Sequence, residues 1–237
     1  VMVNEKKSRV ISEHEKKLTA YHEAGHALVT KLLPSQDPVH QVSIIPRGMA
    51  GGFTMSLPKE DKYYSSKNEM LDELVVLLGG RVAEKLVLDD ISTGASNDIE
   101  RATEMARSMV TKYGMSDKIG PISFNSNEEV FLGRDFATTK NMSDATAAVI
   151  DSEIKRIIDE AYQRCSKMIS ENMPKLDKIA KDLLEHETIG EKHFEALFGD
   201  KEVDWDSIKE AGLLEDEDKT EGSSEEKSDK DQETENK

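Results

Sequence analysis

The sequence has 237 residues, of which 34% are charged and 5% are aromatic, and its formal net charge is −16 at pH 7. This length allows one sizeable domain with appendages, and the composition is typical of a helical globular protein. The negative charge and the lack of a basic stripe argue against nucleic-acid binding, because nucleic-acid-binding proteins cluster lysine and arginine on one face.

The one cysteine, Cys165, cannot form an internal disulfide. It falls on an apolar helical position, which predicts a buried thiol in a reducing compartment. No apolar run reaches about 18 residues, and the polar start VMVNEKKSRV does not have the pattern of a signal peptide, so we expect no membrane span in this sequence. Because Val1 precedes Met2, we interpret the chain as a piece of a longer protein, with room for membrane spans or partner domains upstream.

The first predicted helix opens with the capping box of Ser12 and Glu15, and Pro34 closes it. The next segment, DPVHQVSIIPRGMAGGFTMSLP, contains two β-like runs separated by one proline and several glycines. This pattern predicts a two-strand element with a glycine-rich connection.

A second capping box, Ser66 with Glu69, opens a helix through MLDELVVLLGGRVAEKLVL. Within it, Gly79 and Gly80 predict either a bend or a place where another helix backbone comes close. The polar loop DDISTGASND then leads into a third helix, IERATEMARSMVTKYG, which Gly114 ends.

A long amphipathic helix follows after an irregular stretch. Its predicted apolar face consists of Ile150, Ile154, Ile157, Ala161, Cys165 and Met168. Pro174 starts a further helix, and Thr188 with Glu191 is predicted to cap a short last one. The predicted fold class is therefore mainly α with a small β element.

Charge patterning divides the chain into a body and a tail. Residues 201–237 contain 15 acidic and 6 basic residues and no apolar periodicity, which predicts a disordered acidic tail. We interpret residues 12–200 as the folded domain and residues 1–11 as a linker.

The stretch YHEAGH places His22 and His26 four residues apart on an apolar helix face. Both imidazoles then point inward from adjacent turns and can bind one Zn²⁺, whereas Glu23, displaced by about 100°, is better placed to face a metal-bound water than to be a ligand. The alternative is a pair of buried neutral histidines with hydrogen-bond partners, and the helical context favours the metal. The remaining histidines lack such neighbours and are predicted to be surface or locally bonded residues: His14, His40, His186 and His193.

A catalytic zinc keeps three protein ligands and an open water position, so a third ligand must come from elsewhere. The metzincin pattern would need glycine at Val29 and histidine at Leu32, and it is absent. By residue type, Glu73, Glu84 and Asp98 qualify. Spacing alone does not decide between Glu84 and Asp98.

Several segments, in this order from residue 5 to about residue 198, carry a family resemblance: KKSRVISEHEKKLTAYHEAGHALV, DPVHQVSIIPRG, GGRVAEKLV, STGASNDIERATEMARSMVTKYGMSDKIGPI and ETI. They resemble the peptidase domain of the FtsH family of ATP-dependent, membrane-anchored zinc proteases. The resemblance implies that His22, His26 and Asp98 are the ligands of one Zn²⁺ and that Glu23 is the general base. Glu84 then becomes a supporting carboxylate.

The resemblance also implies a helical zinc endopeptidase that hydrolyses unfolded or membrane protein substrates in protein quality control. It implies a homo-hexamer, an upstream ATPase module joined through residues 1–11, and a place on the cytoplasmic side of the cell membrane for the full-length protein, with this fragment soluble. ATP would be used only by that module, because the chain has no G-x-x-x-x-G-K-[ST] loop.

A non-catalytic alternative remains, in which the chain is a helical oligomerisation or adaptor domain with a structural metal. Structural zinc sites usually have four ligands rich in cysteine, which this chain does not offer. The β element also has two interpretations: one of its strands, GGFTMSLP or VSIIP, pairs with an extended substrate, or the strands only cover the core.

Overall fold

The computed structural model describes residues 12–48, 50–58, 62–124 and 142–198. The elements are α1 (Glu13–Leu32), β1 (Val39–Ser43), β2 (Phe53–Ser56), α2 (Lys67–Leu77), α3 (Gly79–Leu88), a 3-10 turn (Thr93–Ala95), α4 (Ser96–Thr111), α5 (Asp144–Glu171), α6 (Met173–His186), β3 (Thr188–Gly190) and α7 (Glu191–Leu197). The predicted fold class, mainly α with a small β element, is confirmed. The predicted linker 1–11 and acidic tail 201–237 lie outside the described residues, and the boundaries of the 12–200 domain stay a prediction.

Helix α1 is the central element of the domain and packs against α3 and α6. It starts at the predicted capping box: the Ser12 hydroxyl accepts from Glu15 N at 3.2 Å, and the Glu15 carboxylate accepts from Ser12 N at 3.3 Å. Residues 20–30 are buried throughout, polar side chains included. The helix ends at Leu32, just before Pro34, as predicted.

The predicted second helix is two helices, α2 and α3, which are separated at Leu78. The residue after this break contacts the backbone of α1. A Cβ atom built on Gly25 of α1 would lie 2.5 Å from the Gly79 carbonyl oxygen, and one on Gly79 would lie 2.9 Å from that of Gly25. Of the two alternatives predicted for the glycine pair, the close approach of another helix backbone is therefore confirmed.

The sheet is antiparallel, with strand order β2-β1-β3. Val42 lies opposite Thr54 on one side and Ile189 on the other. The two predicted strands are confirmed, but β3 escaped prediction because three residues are too few for a period-two pattern. The predicted capping box of Thr188 and Glu191 is wrong, since Thr188 belongs to β3 and Gly190 is the residue before α7.

The long helix α5 buries the predicted apolar face, with one exception: Ile169 is buried, while Met168 is only half-buried. Four residues separate Cys165 from Ile169, which suits the 3.6-residue turn. Cys165 has no exposed surface, and burial raises the pKa of its thiol to about 12. The thiol is therefore protonated and inert near neutral pH, as the prediction of a buried cysteine requires. The prediction that Gly114 ends the third helix is wrong, because α4 ends at Thr111 with Lys112 as its C-cap. Gly114 lies two residues further on, in the turn after the helix, with a positive φ of 61°.

None of the helices among the described residues combines the length and the apolar character needed to cross a bilayer.

Candidate metal centre

The structure brings His22 and His26 of α1 together with Asp98, which lies in the first turn of α4. The Nε2 atoms of the two histidines are 3.1 Å apart, and each lies 3.4 Å from Asp98 Oδ2. The two histidines are 8% and 9% exposed, so the three donor atoms meet at the floor of a cleft rather than on an open surface.

These distances match the donor spacing of a tetrahedral zinc site. Donor atoms that bind Zn²⁺ with bonds of about 2.0 to 2.1 Å at tetrahedral angles lie about 3.3 to 3.4 Å from one another. The triangle formed by the two imidazole nitrogens and the carboxylate oxygen has sides of 3.1 to 3.4 Å. The donor set therefore fits one zinc ion with a fourth position facing the cleft.

In each imidazole ring, the hydrogen bond that Nδ1 makes determines which of the two nitrogens carries the proton. His26 Nδ1 lies 2.8 Å from the Val76 carbonyl oxygen, which can only accept, so Nδ1 is the donor. His22 Nδ1 lies 2.6 Å from Glu84 Oε1 and donates to that carboxylate in the same way. In the neutral rings both Nε2 atoms then keep a lone pair directed at the position between the three donors.

Glu84 is on the other side of the His22 ring from Asp98. It is fully buried, and it accepts from Ser92 N at 2.7 Å and from the Ser92 hydroxyl at 3.1 Å. These bonds attach the loop that precedes α4 to α3. The loop leads into the first turn of α4, where Asp98 lies next to the histidines. Of the two carboxylates that spacing left open, Asp98 reaches both Nε2 atoms and Glu84 supports an Nδ1 atom.

The third carboxylate considered, Glu73, lies in the same cleft but outside the cluster of donor atoms formed by the histidines and Asp98. It forms an ion pair with Arg101 at 3.8 Å. Burial raises the pKa of Glu73, and the nearby Arg101 partly opposes this.

The cluster favours positive charge. Burial lowers the pKa of His22, but hydrogen bonds to Asp98 and Glu84 outweigh burial and raise the pKa to about 10. Burial raises the pKa of Asp98, but hydrogen bonds from His22 and His26 outweigh it and hold the pKa well below its usual range. A divalent cation would supply this positive charge in place of the protons.

Two glycines make room for the site. A Cβ atom on Gly80 of α3 would lie 2.4 Å from Cε1 of the His22 ring, and one on Gly52 would lie 2.9 Å from Cγ of Glu23. Any larger residue at Gly80 would displace the imidazole. The two adjacent glycines thus allow two close contacts: the His22 ring lies against Gly80, and the α1 backbone lies against Gly79.

Glu23 lines the same cleft, which has a volume of about 990 Å³. It is 6% exposed, and its Oε2 accepts a hydrogen bond of 2.8 Å from the Thr54 hydroxyl on β2. Burial raises the pKa of Glu23, while the charges of His26 and His22 and the bond from Thr54 lower it. One carboxylate oxygen is thus held by the sheet, and the arrangement suits a base that exchanges a proton inside the cleft.

Sequence reasoning missed three partners of the site: Thr54, Ser92 and the Val76 carbonyl. Thr54 stands in a correctly predicted strand, and Ser92 in a correctly placed loop. Nothing in their local pattern specifies contacts with residues that are distant in the sequence. These contacts arise only when the helices and the sheet pack.

A family model described as peptidase family M41 matches residues 9–197. The chain is 61% identical over 201 residues to ATP-dependent zinc metalloprotease FtsH 1 of Thermoanaerobacter sp. (strain X514), an alignment that covers 84% of this chain and 33% of that protein. It is 63% identical over 195 residues to ATP-dependent zinc metalloprotease FtsH 2 of Alkaliphilus metalliredigens (strain QYMF), covering 82% and 28%. The chain thus spans about a third of the length of these relatives. Since the family model covers most of the sequence, the chain belongs to peptidase family M41.

Proposed function

We propose that this chain is a zinc-dependent endopeptidase, with His22, His26 and Asp98 as the zinc ligands and Glu23 as the general base. The observation that carries the proposal is the triangle of donor atoms with sides of 3.1 to 3.4 Å, next to a buried carboxylate in one cleft. Both relatives described above are named zinc metalloproteases, which supports the choice of metal.

His22, His26 and Asp98 would hold the zinc ion, which would supply a bound water molecule with a pKa of about 7 and would polarise the carbonyl oxygen of the substrate. Glu23 takes the proton from the attacking water and later passes it to the leaving amine. The bond from Thr54 holds Glu23 Oε2, which leaves Oε1 for the proton. Glu84 and the Val76 carbonyl keep the two imidazoles in the tautomer that binds metal.

The sheet offers a place for an extended substrate. Among the described strands, β1 is central and pairs on both sides, whereas β2 pairs only with β1. Of the two strands considered for substrate pairing, β2 is therefore the one with an unpaired edge within the described part of the chain, and Thr54 connects it to the base. We propose that an unfolded polypeptide adds to β2 through main-chain hydrogen bonds, which tolerate many sequences.

For the whole protein we propose an ATP-dependent protease that acts on unfolded or membrane protein substrates in quality control. The relatives are named ATP-dependent, while this sequence contains no phosphate-binding G-x-x-x-x-G-K-[ST] loop. We propose that the ATPase module and a membrane anchor belong to other parts of the protein, that the peptidase works as a homo-hexamer, and that it faces the cytoplasm.

A structural role for the metal is less well supported. Structural zinc sites are closed by four protein ligands. Among the residues that the structure describes, three donors surround the position, and a buried glutamate faces the same cleft. The adaptor alternative does not account for a buried glutamate in this cleft.

The test is metal content and peptidase activity of the same preparation before and after chelation. We expect zinc to co-purify with the chain, cleavage of an unfolded casein-type substrate to stop when zinc is removed, and both to return when zinc is added. Cleavage that persists in zinc-free protein would overturn the proposed function. So would zinc-loaded protein that is folded but cleaves nothing.

A further inference from the structure

A second cavity, called the side pocket below, lies beside the cleft of His22 and His26. Its volume is about 610 Å³, and it is formed by the start of α2, by α4 and by the segment that joins α1 to β1. Three residues line both the cleft and the side pocket: Gln36, Asp37 and Glu73. The two cavities are therefore direct neighbours.

The lining of the side pocket combines flexible apolar side chains with aromatic rings. Met70 of α2, Met105 of α4 and Met115, which follows α4, are each half-buried. Tyr63 and Tyr64, which precede α2, are 91% and 92% exposed. Methionine adapts to partners of irregular shape and is common at surfaces that bind many sequences, while tyrosine offers a large contact area with an apolar body. This lining suits apolar side chains of varied shape.

The charges at the side pocket do not favour an acidic ligand. Lys62 is the one basic residue in its lining within the described part of the chain, and its Nζ donates to Glu69 at 3.2 Å. Glu73 forms its ion pair with Arg101 on the side of the cleft. Asp37 is close enough to raise the pKa of Glu73 further. A carboxylate would therefore meet no unpaired cation of the lining, whereas an apolar side chain needs none.

Two helices measure how far the side pocket lies from the metal centre. On α2, the Val76 carbonyl accepts from His26, and Met70 of the side pocket stands six residues earlier. On α4, Asp98 lies beside the histidines, and Met105 of the side pocket stands seven residues later on the same helix face. At about 1.5 Å per residue, the two separations are about 9 Å and about 10.5 Å along the helix axes. An extended polypeptide covers such a distance in about three residues.

We propose that the side pocket binds an apolar side chain of the polypeptide substrate, about three residues from the bond that is cut. The inference rests on the proposed peptidase function and adds a specificity site to it. The occupant follows from position, because a substrate held at the metal centre extends along the cleft, and the side pocket is the neighbouring cavity. The adaptable methionines fit this occupant, since an unfolded polypeptide presents a different side chain at this position in each substrate.

The experiment measures kcat/KM of the zinc-loaded 237-residue protein on fluorogenic peptides that share one cleaved bond, identified by mass spectrometry. Each peptide carries leucine or alanine at one position, up to five residues from the bond on either side. We expect leucine to be preferred about tenfold at a position two to four residues from the bond, as for an apolar side chain in an apolar pocket.

Two substitutions in the side pocket test whether it causes this preference. In Met105→Gln and in Tyr64→Ala the preference at that position should fall to about two- to threefold, while kcat/KM for the alanine peptide stays the same. Met105→Gln keeps the length of the side chain, and Tyr64 has an almost fully exposed ring that can be removed without disturbing the core. Cleavage of the alanine peptide shows in each variant that the fold and the metal centre are intact.

Met168→Gln is the matched control, because Met168 is a half-buried methionine of α5 outside both cavities. It should keep the full preference for leucine. A preference that stays about tenfold in both pocket variants would overturn the specificity site and leave the peptidase intact. So would equal cleavage of the leucine and alanine peptides at every position by the unsubstituted chain.

Two further outcomes identify a different explanation. An unchanged preference together with a smaller oligomer mass of the pocket variants in light scattering would assign the side pocket to a contact between copies of the chain, and would overturn the proposal. Zinc-loaded, folded protein that cleaves none of the peptides would overturn the peptidase function and the specificity site together.

Discussion

At the scale of single residues, the candidate centre depends on atoms that do not face the metal position. His22 Nδ1 donates to Glu84 and His26 Nδ1 donates to the Val76 carbonyl, so neither ring is free to rotate or to change tautomer. Thr54 does the same for one oxygen of Glu23. These hydrogen bonds hold the donor atoms in place, which reduces the entropic cost of assembling the site.

Replacing Glu23 with glutamine removes the base while keeping the size of the side chain. We expect Glu23→Gln to retain zinc and fold, because the amide oxygen still accepts from Thr54. Peptide cleavage should fall by about 10² to 10⁴-fold, the usual contribution of a general base. Steady-state kinetics with a fluorogenic peptide would measure it.

The matched control for this change is Glu73→Gln, a second glutamate of the same cleft that pairs with Arg101. Its activity should change by only a few fold. Unchanged cleavage in Glu23→Gln would contradict the assigned base.

Asp98 and Glu84, the two carboxylates next to His22, should contribute differently to zinc binding. Asp98→Asn takes away a charged donor 3.4 Å from both Nε2 atoms, whereas Glu84→Gln leaves an acceptor for His22 Nδ1. Loss of an outer partner typically weakens metal binding by about 10 to 100-fold, and we expect a larger effect for Asp98→Asn. Zinc retention against a competing chelator, read by mass spectrometry, would compare them, and equal retention would contradict Asp98 as a ligand.

The sequence predicts those residues of the site whose positions depend on local spacing, and it does not predict those whose positions depend on packing. The helix spacing alone placed His22, His26 and Glu23, since i and i+4 positions share a face. Asp98 could not be chosen over Glu84 by spacing, because the choice depends on which side of the His22 ring each carboxylate reaches after α3 and α4 pack. The resemblance to a known family supplied that information.

At the scale of elements, the contact between α1 and α3 is the joint that positions both histidines. Gly25 and Gly79 bring the two backbones together, and Gly80 lies against the His22 ring. Glycine is a poor helix former, at about 1 kcal/mol relative to alanine in a helix interior, so two adjacent glycines in the first turn of α3 indicate a packing reason. Here the close approach places Glu84 of α3 within hydrogen-bond distance of His22.

Adding one methyl group at this joint should therefore harm metal binding. In Gly80→Ala the new Cβ would lie 2.4 Å from His22 Cε1, so the ring or the helix must move. We expect a loss of stability of about 1 to 3 kcal/mol, typical of overpacking, together with weaker zinc binding. Urea unfolding and zinc competition would measure the two effects.

Gly190→Ala serves as the control for zinc binding, because a Cβ atom there meets nothing within 4 Å. Zinc affinity equal to that of the unsubstituted chain in Gly80→Ala would show that the joint does not position His22.

The long helices were predictable from their periodic apolar patterns, and α1 and α2 also carry a start signal in their capping boxes. Strand β3 was not, since its three residues are a strand only because β1 pairs with them. The glycines indicated an interruption of the second predicted helix, and it lies at Leu78, one residue before the glycine that contacts α1.

At the scale of the whole molecule, charge is divided unevenly along the chain. Residues 201–237 account for nine of the sixteen net negative charges, while the family model matches the chain only up to residue 197. We therefore expect catalysis and metal binding to depend on the residues that precede this segment.

Removal of residues 215–237 tests this expectation. The shortened chain should cleave the unfolded substrate with kcat/KM within a few fold of the full chain and bind the same amount of zinc. Solubility at low ionic strength should fall, because the net charge moves toward zero. A large loss of activity would show that the acidic segment does more than solubilise the protein.

The hydrogen bond between Thr54 and Glu23 also bears on the lengths of the products. If an extended substrate adds to the free edge of β2, its backbone is aligned with the strand that holds the base. Paired strands keep the same side chains on the same face only when they slip by two residues, a shift of about 6.6 to 6.8 Å. Successive cuts in one bound polypeptide would then be separated by an even number of residues, and the distribution of peptide lengths would record the alternation of the sheet.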